Sequence, residues 1–232
     1  WDDLKKVKLD EELKPKSEFM CNLAIAYKYS GQYGKAMHWL GEAVKIDRSA
    51  ESLAAYSAMF INVGTPEKAL KESSRAIRID PAHAMAHWNR AMAMLELVQW
   101  ESAWDEHEWG FAAKMRVQRN ISDAPYWDGS SGKTVVVYGE QGLGDEIMFA
   151  SMLPELMAEN TVILECHPRL KTLFQHSWPA LTVYGTRDKN EIEWQHGHQF
   201  DNVVSIGSLG KWFRRSRQAF PGTPYLKAEP LP

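Results

Sequence analysis

The chain repeats itself. Asn22-Leu-Ala-Ile-Ala-Tyr27 aligns with Ala55-Tyr-Ser-Ala-Met-Phe60 and again with Asn89-Arg-Ala-Met-Ala-Met94, at offsets of 33 residues (22 to 55) and 34 residues (55 to 89). A fixed period of that size means a stacked array of identical supersecondary units. Each block is followed by a turn and then by a small residue: Ala36, Ala69, Ala103. Two blocks close alike, as Ala43-Val-Lys-Ile-Asp47 and Ala76-Ile-Arg-Ile-Asp80-Pro81. These spacings predict paired antiparallel helices. Ala24, Ser57 and Ala91 fall where the helices of each pair cross, because close crossing excludes larger side chains. Tyr27, Phe60 and Met94, three residues later, fill the groove beside the crossing. Gly31 and Gly64 fall at the turns. Pro81 ends the second unit, since proline cannot continue a helix.

These residues resemble the tetratricopeptide repeat over about residues 17–115, in three units. The third unit departs from the pattern after Trp104 and lacks the Ala-x4-Pro close. Leu4, Val7 and Leu9 with Asp10 read as the tail of a preceding unit. The resemblance implies a concave groove that binds a protein or peptide. Helical spacing lines it with Cys21, Ile25, Lys28, Ala54, Ala58, Ile61, Trp88, Met92 and Leu95. Lys28, Ile25, Trp88 and Met92 are its candidate contact residues. The lining is mostly apolar, with few of the Asn and Lys side chains that would grip a carboxylate. The same residues could instead pack on a neighbouring unit or on the second domain.

The second half has a different texture. Residues 119–132 carry Pro125, Gly129 and Gly132 with several serines, the composition of a linker. Thr134–Tyr138 is a continuous β-branched run, as in a strand buried on both faces. Gly139-Glu-Gln-Gly-Leu-Gly144 and Asp145 follow, then an apolar-periodic stretch from Ile147 to Met157. Further strands are expected at 161–166, 181–184 and 202–206, with helices at 168–176 and 209–217. Alternating strands and helices predict a parallel sheet with helices on both faces. The fold class is therefore α + α/β: a helical repeat domain (1–118), a linker (119–132) and a Rossmann-like domain (133–232).

In such sheets ligands bind beyond the carboxyl ends of the strands. The glycine loop sits at one such end. Its spacing is neither the dinucleotide fingerprint nor a Walker A loop, so it is also a tight strand-to-helix turn in its own right. Asp145 is either a helix cap or a general base at a cleft mouth.

Tyr138-Gly-Glu-Gln-Gly-Leu-Gly-Asp-Glu-Ile-Met-Phe-Ala-Ser-Met-Leu-Pro154 resembles the opening motif of glycosyltransferase family 9, the heptosyltransferase family. Tyr126-Trp-Asp-Gly129, Leu164-Glu-Cys166, Pro168-Arg-Leu170, Ser208-Leu209 and Pro224-Tyr-Leu-Lys-Ala228 continue the match in order. Bacterial proteins with tetratricopeptide repeats ahead of such a domain share the arrangement. The resemblance implies the acceptor-side half of a GT-B fold, with Asp145 as catalytic base. Gly142, Leu143, Gly144, Glu140 and Gln141 would form the substrate-binding loop beside it. A nucleotide-sugar donor would bind only a C-terminal domain, for which the roughly 100 residues after Lys133 leave no room. The 232-residue chain alone is thus expected to be inactive, with a glycan or protein as acceptor. A non-catalytic interaction scaffold is the alternative.

Composition narrows the rest. The formal net charge is −3, with 27 Lys+Arg against 30 Asp+Glu, so nucleic acid is not an expected partner. Cys21 and Cys166 are too far apart for a knuckle and predict reduced thiols in the cytoplasm. No apolar run reaches the ~18–20 residues of a membrane span. His196-x-His198 has no evident third ligand, so neither metal nor cofactor is expected. Lys211, Arg214, Arg215 and Arg217 read as a solvated basic helix face or an anion site. Trp88, Trp100, Trp104 and Trp109 read as packing where the repeats end.

Overall fold

In the computed structural model the chain divides into two compact units, Trp1–Met115 and Arg116–Pro232. Residues 2–187 and 192–228 are described, with side chains from Lys16 onward. The side chains of Leu4, Val7 and Leu9, and the terminal residues 229–232, lie outside that set.

The first unit is helical: α1 (Asp2–Tyr29), α2 (Tyr33–Ile46), α3 (Ala50–Asn62), α4 (Pro66–Ile79), α5 (Ala84–Glu96), α6 (Trp100–His107) and α7 (Trp109–Ala112). The expected preceding-unit tail is instead continuous with α1. Helices α1/α2, α3/α4 and α5/α6 form three hairpins, as the period requires. Ala24, Ala36, Ser57, Ala69, Ala91 and Ala103, the residues placed at the crossings, are all buried. Ala24 packs with Ala36, Leu40 and Met59, while Phe60 packs with Ala69 and Ala93. Successive hairpins share a core, in which Val44, Leu53, Ala54, Ala76 and Ala86 meet.

Each hairpin turn is built alike. Gln32, Thr65 and Gln99 donate their N–H to the carbonyls of Tyr27, Phe60 and Met94, at 2.9, 2.9 and 2.8 Å. That helix-ending geometry needs one left-handed residue. Gly31 (φ 73°) and Gly64 (φ 68°) supply it in the first two hairpins, and Val98 (φ 64°) in the third. Pro66 opens α4. Ser49 and His83 cap α3 and α5 by accepting from Ser52 and Ala86 N–H. Three of the four tryptophans pack on histidines of the last helices of the array. Trp88 and Trp104 meet His107, and Trp109 stacks on His87 at 4.0 Å.

The second unit holds a four-stranded parallel sheet: β1 (Thr134–Tyr138), β2 (Thr161–Glu165), β3 (Thr182–Tyr184) and β4 (Asn202–Ser205), in order β3-β2-β1-β4. All four fall in the runs read as strands. The helices are α8 (Leu143–Phe149), α9 (Leu153–Glu159), α10 (Lys171–Ser177) and α11 (Gly210–Phe213). The stretch read as one helix from Ile147 is broken by a 3-10 turn at Ala150–Met152, and Pro154 then opens α9. Helix α11 is shorter than the expected 209–217. The chain leaves it at Arg214, whose guanidinium is buried against the Glu155 carboxylate (2.6 Å) and the Ser151 carbonyl (2.9 Å). That arginine is therefore not part of a solvated basic face.

One sheet face carries Val136, Tyr138, Ile163 and Val203. Among the described residues, the side chains packed on it come from irregular chain, a 3-10 turn at Glu193–Gly197 and β3, not from α-helix: Ile121, Ala124, Tyr126, Tyr184, Trp194 and Phe200. Loop-forming residues cover this face where helices were expected, because Pro125 and Gly129 (φ 96°) rule out a helix there. The Tyr126–Gly129 stretch clasps β4. Trp127 N–H donates to the Val203 carbonyl, and Ser205 N–H donates to the Tyr126 hydroxyl. Trp127 packs on Trp212 and Phe213. A Cβ on Gly129 would lie 2.4 Å from the Trp212 indole nitrogen, so only glycine fits.

Candidate functional sites

The strand order reverses between β1 and β4. In an open parallel sheet that switch point leaves a crevice beyond the carboxyl ends, where ligands bind. The loop Gly139–Gly142 borders it on the β1 side, and Ile206–Leu209 on the β4 side. Glu140 fills the space between them. Its carboxylate accepts from the Arg116 guanidinium (2.6 and 3.1 Å) and from the Ser205 hydroxyl. Arg116 also donates to the hydroxyls of Ser205 (3.1 Å) and Ser208 (2.8 Å). Both charged side chains are essentially sealed from water, at 0% and 1% exposure. The Tyr138 hydroxyl lies beside this cluster, and burial holds it protonated well above the ordinary phenol range.

Two more buried carboxylates flank the loop. Glu146, on α8, pairs with Arg187 (2.5 Å) and accepts from His167 N–H (2.9 Å). Gly139 must be glycine because a Cβ there would meet the Glu146 carboxyl at 2.5 Å. Glu165, the last residue of β2, pairs with Arg119 (2.8 Å) and accepts from the Thr186 hydroxyl. Burial raises its carboxyl above the usual range, and the opposing pull of Arg119 only partly offsets this. Arg187 also donates to the Gln141 carbonyl (3.0 Å), and Arg119 donates to the Arg187 carbonyl (2.7 Å). The loop is thus braced by arginines from outside the motif. Nothing in the sequence pattern singles out Arg116, Arg119 or Arg187.

The other loop residues face outward. Gln141 (φ 61°) and Gly144 are exposed; Gly142, Leu143 and Asp145 are half-buried. The Asp145 carboxylate accepts from Gly142 N–H at 2.9 Å, closing the first turn of α8 from its third position. This is half a capping box, since Gly142 has no side chain to return the bond. A Cβ at Gly144 would meet nothing within 4 Å, so the packing of the protein itself does not require glycine there. Glu140 and Asp145 therefore sit on opposite sides of the loop, one sealed and one reachable. Among the described residues no cluster of three His, Cys, Asp or Glu side chains could hold a metal ion. Tyr184 engages His198 at 2.6 Å and stacks on Trp194, so that histidine is part of an aromatic cluster.

The repeats carry a second candidate site. A groove of about 480 Å³ runs across α1, α3 and α5. Of the nine expected lining residues, Ile25, Lys28, Ala58, Ile61, Trp88 and Met92 border it. Ala54 is buried in the shared core instead. Cys21 lies in a separate acidic cleft with Glu18, Asp47 and Glu51. Burial raises its thiol above the ordinary range, with a further push from Asp47. The groove also gains Met59, Met85 and Met115, which the repeat alignment did not point to.

No family model matches the chain. The protein FlbA of Caulobacter vibrioides is 28% identical over 185 residues, covering 69% of this chain and 30% of FlbA. The chain thus spans less than a third of the length of that relative. The helical repeats are tetratricopeptide-like. Similar solved structures include an Arabidopsis OM64 TPR domain (24% identity, TM-score 0.40, covering 44% of this chain and 84% of that one). The first TPR of Spaghetti, bound to an HSP90 peptide, is 15% identical (TM-score 0.41, 44% and 83% covered). A mutant O-GlcNAc transferase of Thermobaculum terrenum is 13% identical (TM-score 0.42, 67% and 37% covered). Among the described residues no helix is long and apolar enough to cross a membrane.

Proposed function

We propose that the repeats dock a protein or peptide partner in the α1/α3/α5 groove. The observation that carries this reading is the exposure of apolar side chains where helices of one array usually bury them. Ile25 is 46% exposed and Met115 48%, beside half-buried Met85, Met92 and Ile61. Contiguous exposed apolar surface on a soluble unit marks an interaction site. Selecting displayed peptides on the intact chain tests it. Bound peptides should lose at least tenfold in affinity when Met92→Glu puts a charge in the groove. Selected peptides indifferent to that change would end the reading.

The second unit supports a further reading, the acceptor-side half of a glycosyltransferase. It rests on the position of the loop at the switch point, with Asp145 reachable and Gly144 free of neighbours. A sugar hydroxyl attacking an anomeric carbon must lose its proton, and Asp145 would take it. Gln141, Gly142, Leu143 and Gly144 would shape the acceptor pocket, and the Glu140 ion pair would fix the loop. A nucleotide-sugar donor would come to a domain beyond this chain. Residues 1–232 alone should then show no turnover with nucleotide sugars. In a version carrying a donor domain, Asp145→Asn should abolish transfer without unfolding the sheet. Transfer surviving that substitution would remove Asp145 from the mechanism.

A further inference from the structure

The polar groups of the groove narrow what can lie in it. Asn62 donates its side-chain amide to the Ala58 carbonyl at 2.6 Å. Asn89 donates its own to the Ala54 carbonyl and the Ser57 hydroxyl, both at 2.9 Å. Asn89 thus spends both of its amide hydrogens on α3, and Asn62 spends one of its two on its own helix. Among the described lining residues Lys28 is the one cation, and no carboxylate engages it. The rest of the surface is apolar, with methionines at 59, 85, 92 and 115.

An extended peptide carries one backbone donor and one acceptor per residue. Burying them against such a surface leaves most without partners, and each unpaired buried group opposes binding. A helix satisfies its own backbone and presents only side chains. Methionine, unbranched and polarizable, adapts to the ridges of such a helix. Lys28 favours a carboxylate on the same helix near α1.

We infer that the groove takes an amphipathic α-helix with an apolar stripe and one flanking carboxylate, and not an extended or carboxylate-terminated peptide. This rests on the groove being a partner site at all. The test uses two labelled synthetic peptides of about 18 residues and equal composition, titrated against the intact chain. One places Leu and Met at i, i+3, i+4 and i+7 with a glutamate at one end of the stripe. The other alternates apolar and polar residues and ends in a free acidic carboxylate. The helical peptide should bind at least tenfold tighter, and Met92→Glu should remove that binding. Lys28→Glu should weaken it about three- to fivefold, the size of a partly exposed ion pair. A peptide with lysine replacing the glutamate should recover the loss.

Tighter binding of the extended peptide, still sensitive to Met92→Glu, would overturn the helix and keep the groove. Binding of neither would overturn the helix; the groove itself would fail only if peptides selected on the intact chain also ignored Met92→Glu. Self-association of the chain that Met92→Glu abolishes would assign the groove to a second copy and overturn the inference.

Discussion

Glu140 offers the sharpest perturbation. Its carboxylate and the Arg116 guanidinium are both sealed from water and joined by three contacts, one of 2.6 Å and two of 3.1 Å. Glu140→Ala removes the carboxylate that balances the buried Arg116 guanidinium. An uncompensated buried charge of this kind costs about 3–5 kcal/mol. A unit of this size has a total stability of about 5–15 kcal/mol. At about 4 °C per kcal/mol, melting of the second unit should fall by roughly 12–20 °C. Hydrogen exchange read by mass spectrometry separates the two units. Amides of β1 and β4 should exchange roughly 150- to 4,500-fold faster, at about 1.36 kcal/mol per decade, while those of α1–α6 should not change. The double change Arg116→Met with Glu140→Leu should regain most of the loss, because it removes both charges and keeps the volume. A single-variant cost below about 1 kcal/mol, or a double variant as unstable as the sum of the singles, would refute the ion-pair reasoning.

Other expectations follow from the same geometry. Gly129→Ala must move Trp212 and strain a left-handed residue, and should lower the stability of the second unit by about 2 kcal/mol or more in denaturant melts. Gly64→Ala keeps its space but not its φ of 68°, and should cost the repeats about 1 kcal/mol by the same assay. Cys166 is buried, and desolvation pushes its thiol from 9.0 up to about 12. The native state then holds this proton where the unfolded chain has released it. Its contribution is complete below pH 9 and is lost between pH 9 and about 12. Wild type should therefore lose stability across that window relative to Cys166→Ala, and the native thiol should resist iodoacetamide at pH 8.

The period of the repeats was legible because it is set by contact. Only small residues fit where helices cross, so Ala24, Ser57 and Ala91 mark the hairpins in the sequence itself. The strands were legible because a β-branched run has one economical use. Val98 was not: a turn that glycine marks twice tolerates a β-branched residue the third time, since the surrounding helices over-determine its backbone. The brace around the glycine loop was also hidden. Glu140, Glu146 and Glu165 sit in readable motifs, but Arg116, Arg119 and Arg187 reach them from distant irregular segments. Charge in a sequence does not say whether it will be solvated or sealed, and Arg214, one of a basic cluster, is sealed. Asp145 and Glu140 lie five residues apart in one motif. Only the fold shows that one faces outward and the other inward.

The most direct measurement is a methyl spectrum of the intact chain with labelled methionine side chains, recorded as the helical peptide is added. Met85, Met92 and Met115 should shift together and saturably, with Met59 beneath them, while the exposed Met148 of the second unit stays in place. Shifts confined to Met148, or spread over methionines outside the groove, would contradict a partner site on the repeats.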